Sequence, residues 1–317
     1  MNQEPRVSVI VPCKEVDAYA RECIEHCKQL RYDDYEIVLL PDGPISAHWD
    51  DVKVVPTGAI TPGAKRNIGL ATSSGEICGF LDSDAYPRRD WLHNAVKYFR
   101  DPSVGAIGGP SLTPGRDSFK QKASGYVTSS FMVAGLSTRY KQGTMREVDD
   151  MPSCNFLARR SVIERVGGWN ERYWPGEDTL MCLAITRLGH RIILVSDIAV
   201  YHSRRPLFVK HLTQVARFGL HRGFFAKRFG GNSLRLTYLV PSIFLVMLLL
   251  LAVMSFASGF SMYLLGTVLA TYTLGSLLAT IVETRDIRMI PIVCAGIWLT
   301  HLVYGTYFIG GLLKQDL

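Results

Sequence analysis

An α/β domain on a mostly parallel sheet, followed by an α-helical membrane domain, is what this 317-residue sequence predicts. Between Val7 and Asp82, short apolar runs with strand character alternate with helix-like stretches, the pattern of a buried sheet covered by helices. From Tyr238 to Phe260, from Met262 to Val282 and from Met289 to Leu313 run three uncharged apolar segments, each close to the roughly 20 residues that cross a bilayer. The net charge of +7 is local rather than general. No Asp or Glu lies between Ile198 and Val282, where eight cations gather from Arg204 to Arg235; without them 27 basic residues face 28 acidic ones. These divisions read as an α/β domain over 1–203, a basic amphipathic membrane-interface segment over 204–236, and a membrane domain over 237–317 with spans at about 238–260, 262–282 and 289–313.

Each element has its own signal. Val7 to Pro12 is an unbroken hydrophobic run, which suits a parallel strand buried on both faces. Asp17 to Leu30 reads as the helix after it, Glu36 to Leu40 as a second strand ending in the turn Pro41-Asp42-Gly43-Pro44, and Val52 to Val55 as a short third. Ala64 to Thr72 is helical with Lys65, Arg66 and Asn67 near its start, and an apolar strand then ends at Asp82. In such sheets ligands bind beyond the carboxyl ends of the strands. Glu15, Asp42, Asp82 and Asp84 all fall just past those ends.

The period of two in an extended chain points Asp82 and Asp84 to one side. Paired carboxylates of this kind suit a hard divalent cation, Mg²⁺ or Mn²⁺, which fills its other positions with water and phosphate oxygens. An Asp-rich turn closed by Pro87 is the other reading of a bare Asp-x-Asp. The seven cysteines form no CxxC pair and sit mostly among apolar residues, which points to reduced thiols rather than a disulfide frame or a zinc site.

Together the motifs resemble family 2 glycosyltransferases of the Rossmann-like GT-A fold. Val9-Ile10-Val11-Pro12-Cys13-Lys14-Glu15 resembles their V-I-P-x-x-N-E opening, Pro41-Asp42-Gly43 their V-D-D-G-S, and Gly63 to Gly69 their G-x-x-x-A-R-N-x-G. Leu81-Asp82-Ser83-Asp84 resembles the metal-binding D-x-D. Cys154 to Arg160, Val166 to Glu171 and Gly176-Glu177-Asp178 follow in the family's order, so the likeness covers roughly Arg6 to Gly223. Lys14 in place of Asn and Pro41 in place of the first Asp depart from the pattern.

The resemblance implies a nucleotide-sugar donor held by Pro12, Glu15, Asp42, Lys65, Arg66, Asp82 and Ser83, with the two cations toward the phosphates. It implies a metal at Asp82 and Asp84 with His202 as third ligand, and Asp178 as the base that takes the acceptor's proton. Residue by residue, other uses remain open: turn chemistry for Asp42, a helix N-terminal acid for Glu15, a solvated first helical turn for Lys65 and Arg66, and a helix cap for Asp178. Trp174 is either a stacking face for a sugar or a core residue.

Cations before the first span, and the charged Glu283 to Arg288 loop, favour the cytoplasmic side. The N-terminal domain is then expected in the cytoplasm and the C-terminus across the membrane. Leu207 to Arg228 carries apolar residues near helical spacing with cations between them, which suits a helix on an anionic membrane surface better than a nucleic-acid site. Gln214 to Phe218 resembles the Q-x-x-R-W of processive membrane synthases, but Phe218 replaces the Trp, which argues against polymer extrusion. The expectation is an inverting, metal-dependent glycosyltransferase acting on a lipid-linked or membrane-proximal glycan acceptor, in contact with lipids and able to self-associate through its spans. A non-catalytic scaffold or nucleotide-sugar sensor is the alternative of another class, and a processive synthase the alternative within the family.

Overall fold

The protein is described by a computed structural model covering residues 4–45, 48–134, 139–141 and 143–317. It divides into two compact units, Met1–Pro114 with Thr138–Ser203, and Gly115–Ser137 with Arg204–Leu317.

In the first unit the chain runs β1 (Val7–Pro12), α1 (Ala18–Cys27), β2 (Tyr35–Leu40), β3 (Val52–Val54), α2 (Pro62–Thr72), β4 (Ile77–Leu81), β5 (Ala85–Pro87), α3 (Trp91–Val96), β6 (Val104–Gly108) and β7 (Ser111–Leu112). After α4 (Phe119–Ser129) and α5 (Phe131–Ala134), which belong to the second unit, it resumes with β8 (Arg146–Val148), β9 (Asn155–Arg159), α6 (Arg160–Arg165), α7 (Glu177–Arg187), β10 (Arg191–Leu194) and β11 (Val200–His202). The main sheet has the order β3-β2-β1-β4-β9-β6-β10-β8, with β9 and β8 antiparallel to their neighbours and the other six strands sharing one direction. All six residues of β1 are buried, as the unbroken apolar run requires of a central strand covered on both faces. Gly69 lets α2 lie close on the sheet, since a Cβ there would meet Ile10 Cγ2 at 2.5 Å and Leu40 Cδ1 at 2.9 Å. That close approach sets Lys65 and Arg66 against the carboxyl ends of the strands. A second sheet, β5-β11-β7, pairs His202 with Ala85 in register.

The second unit adds α8 (Val209–Arg228), α9 (Leu236–Ser255), α10 (Gly259–Glu283) and α11 (Ile290–Leu313) to α4 and α5. Three stretches, Gly231–Ser255, Gly259–Glu283 and Ile287–Leu313, are long and apolar enough to cross a membrane. The first apolar segment ends earlier than hydropathy alone indicated, because Ser258 caps α10 and Phe260 lies inside that next helix. Residues 115–134, placed by sequence in the first domain, group instead with these helices. Ala123 and Val127 of α4 share a core with Leu207, Met289, Val293 and Ile297. α8 runs parallel to α11 at backbone distance: a Cβ on Gly219 would lie 2.8 Å from the Tyr304 carbonyl, and Cβ atoms on Gly223 or Gly311 would be driven into the Phe308 and Leu220 carbonyls.

His211 of α8 joins three helices in this unit. It is 2% exposed, with Nδ1 2.8 Å from Ser124 Oγ and Nε2 2.9 Å from Thr300 Oγ1. Burial, helped by Arg204, pulls its pKa down from 6.5 to about 4. The unfolded chain therefore takes up this proton first. The stability due to neutral His211 is complete above about pH 6.5 and is lost as pH falls from there toward 4, by up to about 3 kcal/mol. In thermal melts of detergent-solubilised protein, the fall in Tm between pH 7 and pH 5 should be smaller in His211→Gln than in wild type. Equal falls would show that the histidine does not carry the effect.

Candidate active site

The site forms where β4 leaves the sheet. β4 ends at Leu81, and the turn that follows, closed by an Ala85 N–H to Asp82 carbonyl bond of 2.9 Å, presents Asp82, Ser83 and Asp84, all half-buried. Antiparallel pairing of β5 with β11 brings His202 to the same place, its Nε2 3.0 Å from Asp84 Oδ1. Ligand atoms from Asp82, Asp84 and His202 all lie within 4.8 Å of one another. Two carboxylate oxygens and an imidazole nitrogen at that spacing fit a divalent cation of the Mg²⁺ or Mn²⁺ kind.

The three groups also interact electrostatically. Desolvation raises the Asp82 carboxyl above its usual range against the pull of Arg66 and His202, and Asp84 and Glu177 add like charge. Burial disfavours a charged His202, but the Asp84 carboxylate, with Cys154, outweighs it and holds the imidazole proton well above the ordinary range. Cys154, itself buried, lies 3.1 Å from Ser111 Oγ and is one of the groups against His202.

The two cations expected toward the phosphates are buried and paired. Lys65 is 3% exposed, and its Nζ donates to the carbonyls of Cys13 (2.6 Å) and Leu40 (3.2 Å) and to Asp42 Oδ1 (2.5 Å). Its three donors close the carboxyl ends of β1 and β2 and orient Asp42. Arg66, 2% exposed, donates from Nη1 to Glu177 Oε1 (2.7 Å) and from Nη2 to Asp82 Oδ1 (3.0 Å) and Ser153 Oγ (2.8 Å). Its guanidinium stacks 4.8 Å from the Trp169 ring, and Trp169 is itself 2% exposed, against Phe80 and Phe156. Burial opposes the charge on Arg66, yet Glu177 and Asp82 hold it firmly protonated. Neither side chain is a solvated helix-start cation, and both reach the site through the carboxylates they hold.

The remaining sites fall as follows. Pro12 ends β1 and is buried, Glu15 is exposed in the loop before α1, and the cap of α1 is Asp17 rather than Glu15. Asp42 is half-buried beside Lys65. Asp178 does not cap α7. That position belongs to Gly176, whose φ of 116° suits glycine, and Asp178 lies in the first turn, half-buried, accepting from the Thr179 N–H at 2.8 Å. Trp174 is 54% exposed just before it. Sequence reasoning missed Glu177, Ser153 and Trp169 as the setting of Arg66. A charged residue inside a helix start gives no sign of which distant carboxylate will neutralise it.

The family model described as glycosyl transferase family 2 matches residues 8–167, just over half of the chain. The chain belongs to that family. Among relatives of this family 2 protein, the pre-mycofactocin glycosyltransferase of Mycobacterium tuberculosis is 25% identical over 67% of this chain, but the match spans only 46% of that enzyme's own length. Glycosyltransferase AglE of Haloferax volcanii is 24% identical over 64% of this chain and 68% of its own. Among solved structures, the mannosyltransferase PcManGT from Pyrobaculum calidifontis in complex with GDP-Man and Mn²⁺ covers 99% of this chain and 89% of its own with a TM-score of 0.69 at 20% identity. The family 2 protein has the GT-A fold, its mostly parallel sheet followed by helices apolar enough for a membrane.

Proposed function

We propose that the protein is a membrane-anchored, metal-dependent, inverting glycosyltransferase. It moves one sugar from a nucleotide diphosphate to a lipid-linked or membrane-proximal acceptor. The observation that carries this reading is the convergence of Asp82, Asp84 and His202 at the end of β4, tied through Arg66 and Glu177 to the helix start that bears Asp178. The nucleotide sugar and Mn²⁺ in the related mannosyltransferase structure support the same donor chemistry.

In the proposed reaction the acceptor hydroxyl attacks the anomeric carbon from the face opposite the leaving group. Its oxygen forms the new bond, the bond from that carbon to the diphosphate oxygen breaks, and the electron pair leaves with the diphosphate. Asp178 takes the hydroxyl proton. Asp82, Asp84 and His202 would hold a divalent ion, which would supply electrostatic stabilisation of the charge on the leaving group. Arg66 fixes Asp82, Lys65 fixes Asp42 toward the nucleoside, and exposed Trp174 offers an aromatic face to a sugar. Pro12 at the end of β1, Glu15 in the loop after it and Ser83 in the turn after β4 would complete the donor contacts. Cations ahead of α9 and in the 283–288 loop support a cytoplasmic N-terminal unit.

Asp84→Asn tests the metal half of this reading. The variant should keep its melting temperature without ligand within a few degrees, because a half-buried turn carboxylate supports no core, and should lose the Mn²⁺-dependent stabilisation by nucleoside diphosphates. Undiminished metal-dependent stabilisation would overturn the assignment.

A further inference from the structure

We infer that α11, although long and apolar enough to span, does not cross the membrane: it lies beside α8 along the lipid surface, and the anchor is the α9–α10 hairpin alone. The inference rests on the reading that α9 and α10 span, and it replaces the third crossing, with its far-side C-terminus, that hydropathy suggests.

The ends of α11 carry the argument first. α9 begins at Leu236, eight residues after α8 ends at Arg228. Lys227, in the last turn of α8, donates to the Lys314 carbonyl just past α11, so the far end of α11 returns to where α9 enters. Its near end is on that side too. α10 comes back antiparallel to α9, with Phe244 stacked 4.5 Å from Tyr272, and its last residue Glu283 accepts from Ser129 Oγ of α4 at 2.7 Å. Seven residues later α11 starts.

The direction of α11 agrees. Trp298 packs on Phe244 at 5.9 Å, but Gly305, seven residues on, meets Pro241, three residues nearer the start of α9. Ser242 Oγ donates to the Gly305 carbonyl there at 3.1 Å. A helix crossing alongside α9 would move away from that start, not toward it.

The third argument is depth. From Thr300 to Lys314, α11 has α8 beside it at glycine distance, so the two share a level in the membrane. α8 bears exposed Lys210, Arg217, Lys227 and Arg228, and one such cation at the bilayer centre costs at least roughly 2.5–3.5 kcal/mol. The pair therefore stays at the interface, where cations meet headgroups. The exposed Pro291, Ala295 and Leu299, spaced four apart on α11, face acyl chains.

Single cysteines in the full-length protein in sealed vesicles, labelled with a membrane-impermeant maleimide before and after permeabilisation, test this. The native cysteines are buried and give little background. Gly259→Cys lies in open space, and Arg285 and Gln315 are exposed. Arg285→Cys and Gln315→Cys should label from one side and Gly259→Cys from the other. If Gln315→Cys labels with Gly259→Cys, α11 crosses and the inference falls while the anchored reading stands. If all three label alike, the hairpin does not cross and both fall. Protease protection of an epitope added after Leu317 decides the same question should a cysteine variant fold poorly: protection shared with the 285 side upholds the inference, and protection shared with the 259 side overturns it.

Discussion

Replacing Asp178 with Asn should lower sugar transfer by roughly 10²–10⁴-fold while donor and metal binding stay close to wild type. A general base acts on the acceptor proton in the transition state, so its loss falls on turnover rather than on donor affinity. The structure sharpens this test. Gly176 is the N-cap of α7, and an Asn amide oxygen can keep the bond that Asp178 Oδ1 accepts from the Thr179 N–H, so the substitution spares the helix start. The neighbouring Glu177 is 4% exposed and bound to Arg66 at 2.7 Å, which takes it out of contention as the base. Transfer by Asp178→Asn at the normal rate, with product formation followed directly, would remove Asp178 from the chemistry.

Arg66→Ala should destabilise the first unit by about 3–5 kcal/mol, because it strands a buried Glu177 and removes the partner of Asp82. A buried ion pair contributes little net stability over an apolar pair of like volume, so the loss comes from the charge left behind. The double variant Arg66→Met/Glu177→Leu should accordingly recover much of the stability lost in Arg66→Ala, a non-additivity readable by urea unfolding in detergent. Recovery of stability without recovery of metal binding would separate the structural and the positioning parts of Arg66. A single variant within 1 kcal/mol of wild type would contradict the description of this network.

Much of the first unit was legible in the residues because its signals are local. The unbroken run at Val7–Pro12 became a fully buried strand, and the β-α-β-β-α-β order through Leu81 followed from alternating apolar runs and turn residues. Asp82 and Asp84 stood out as two carboxylates one residue apart after an apolar run, but the period of two expected to aim them together does not apply, because they sit in the turn closed by the Ala85 N–H to Asp82 carbonyl bond. The role of His202 came only by resemblance. What places it is the antiparallel pairing of β5 with β11, which spans 118 residues of sequence to make one 3.0 Å contact.

Lys65 and Arg66 mark where reading from sequence stopped. Two cations at a helix start look the same whether they wait for phosphates or are already neutralised, and only the close seating of α2 at Gly69 decides that they meet Asp42, Asp82 and Glu177. The same holds for α4 and α5, whose partners lie in the C-terminal helices.

By itself, then, the sequence determined where the first four strands lie, which segments are apolar enough for a membrane and which carboxylates stand just past the strand ends, because hydrophobic periodicity and composition act over a few residues at a time. The tertiary structure alone decided which charges neutralise one another, which helix a glycine face meets and which strand brings His202 to Asp84. Those outcomes depend on the separation of groups far apart in the chain, and a charge or an apolar surface does not encode its partner until packing brings the two within reach.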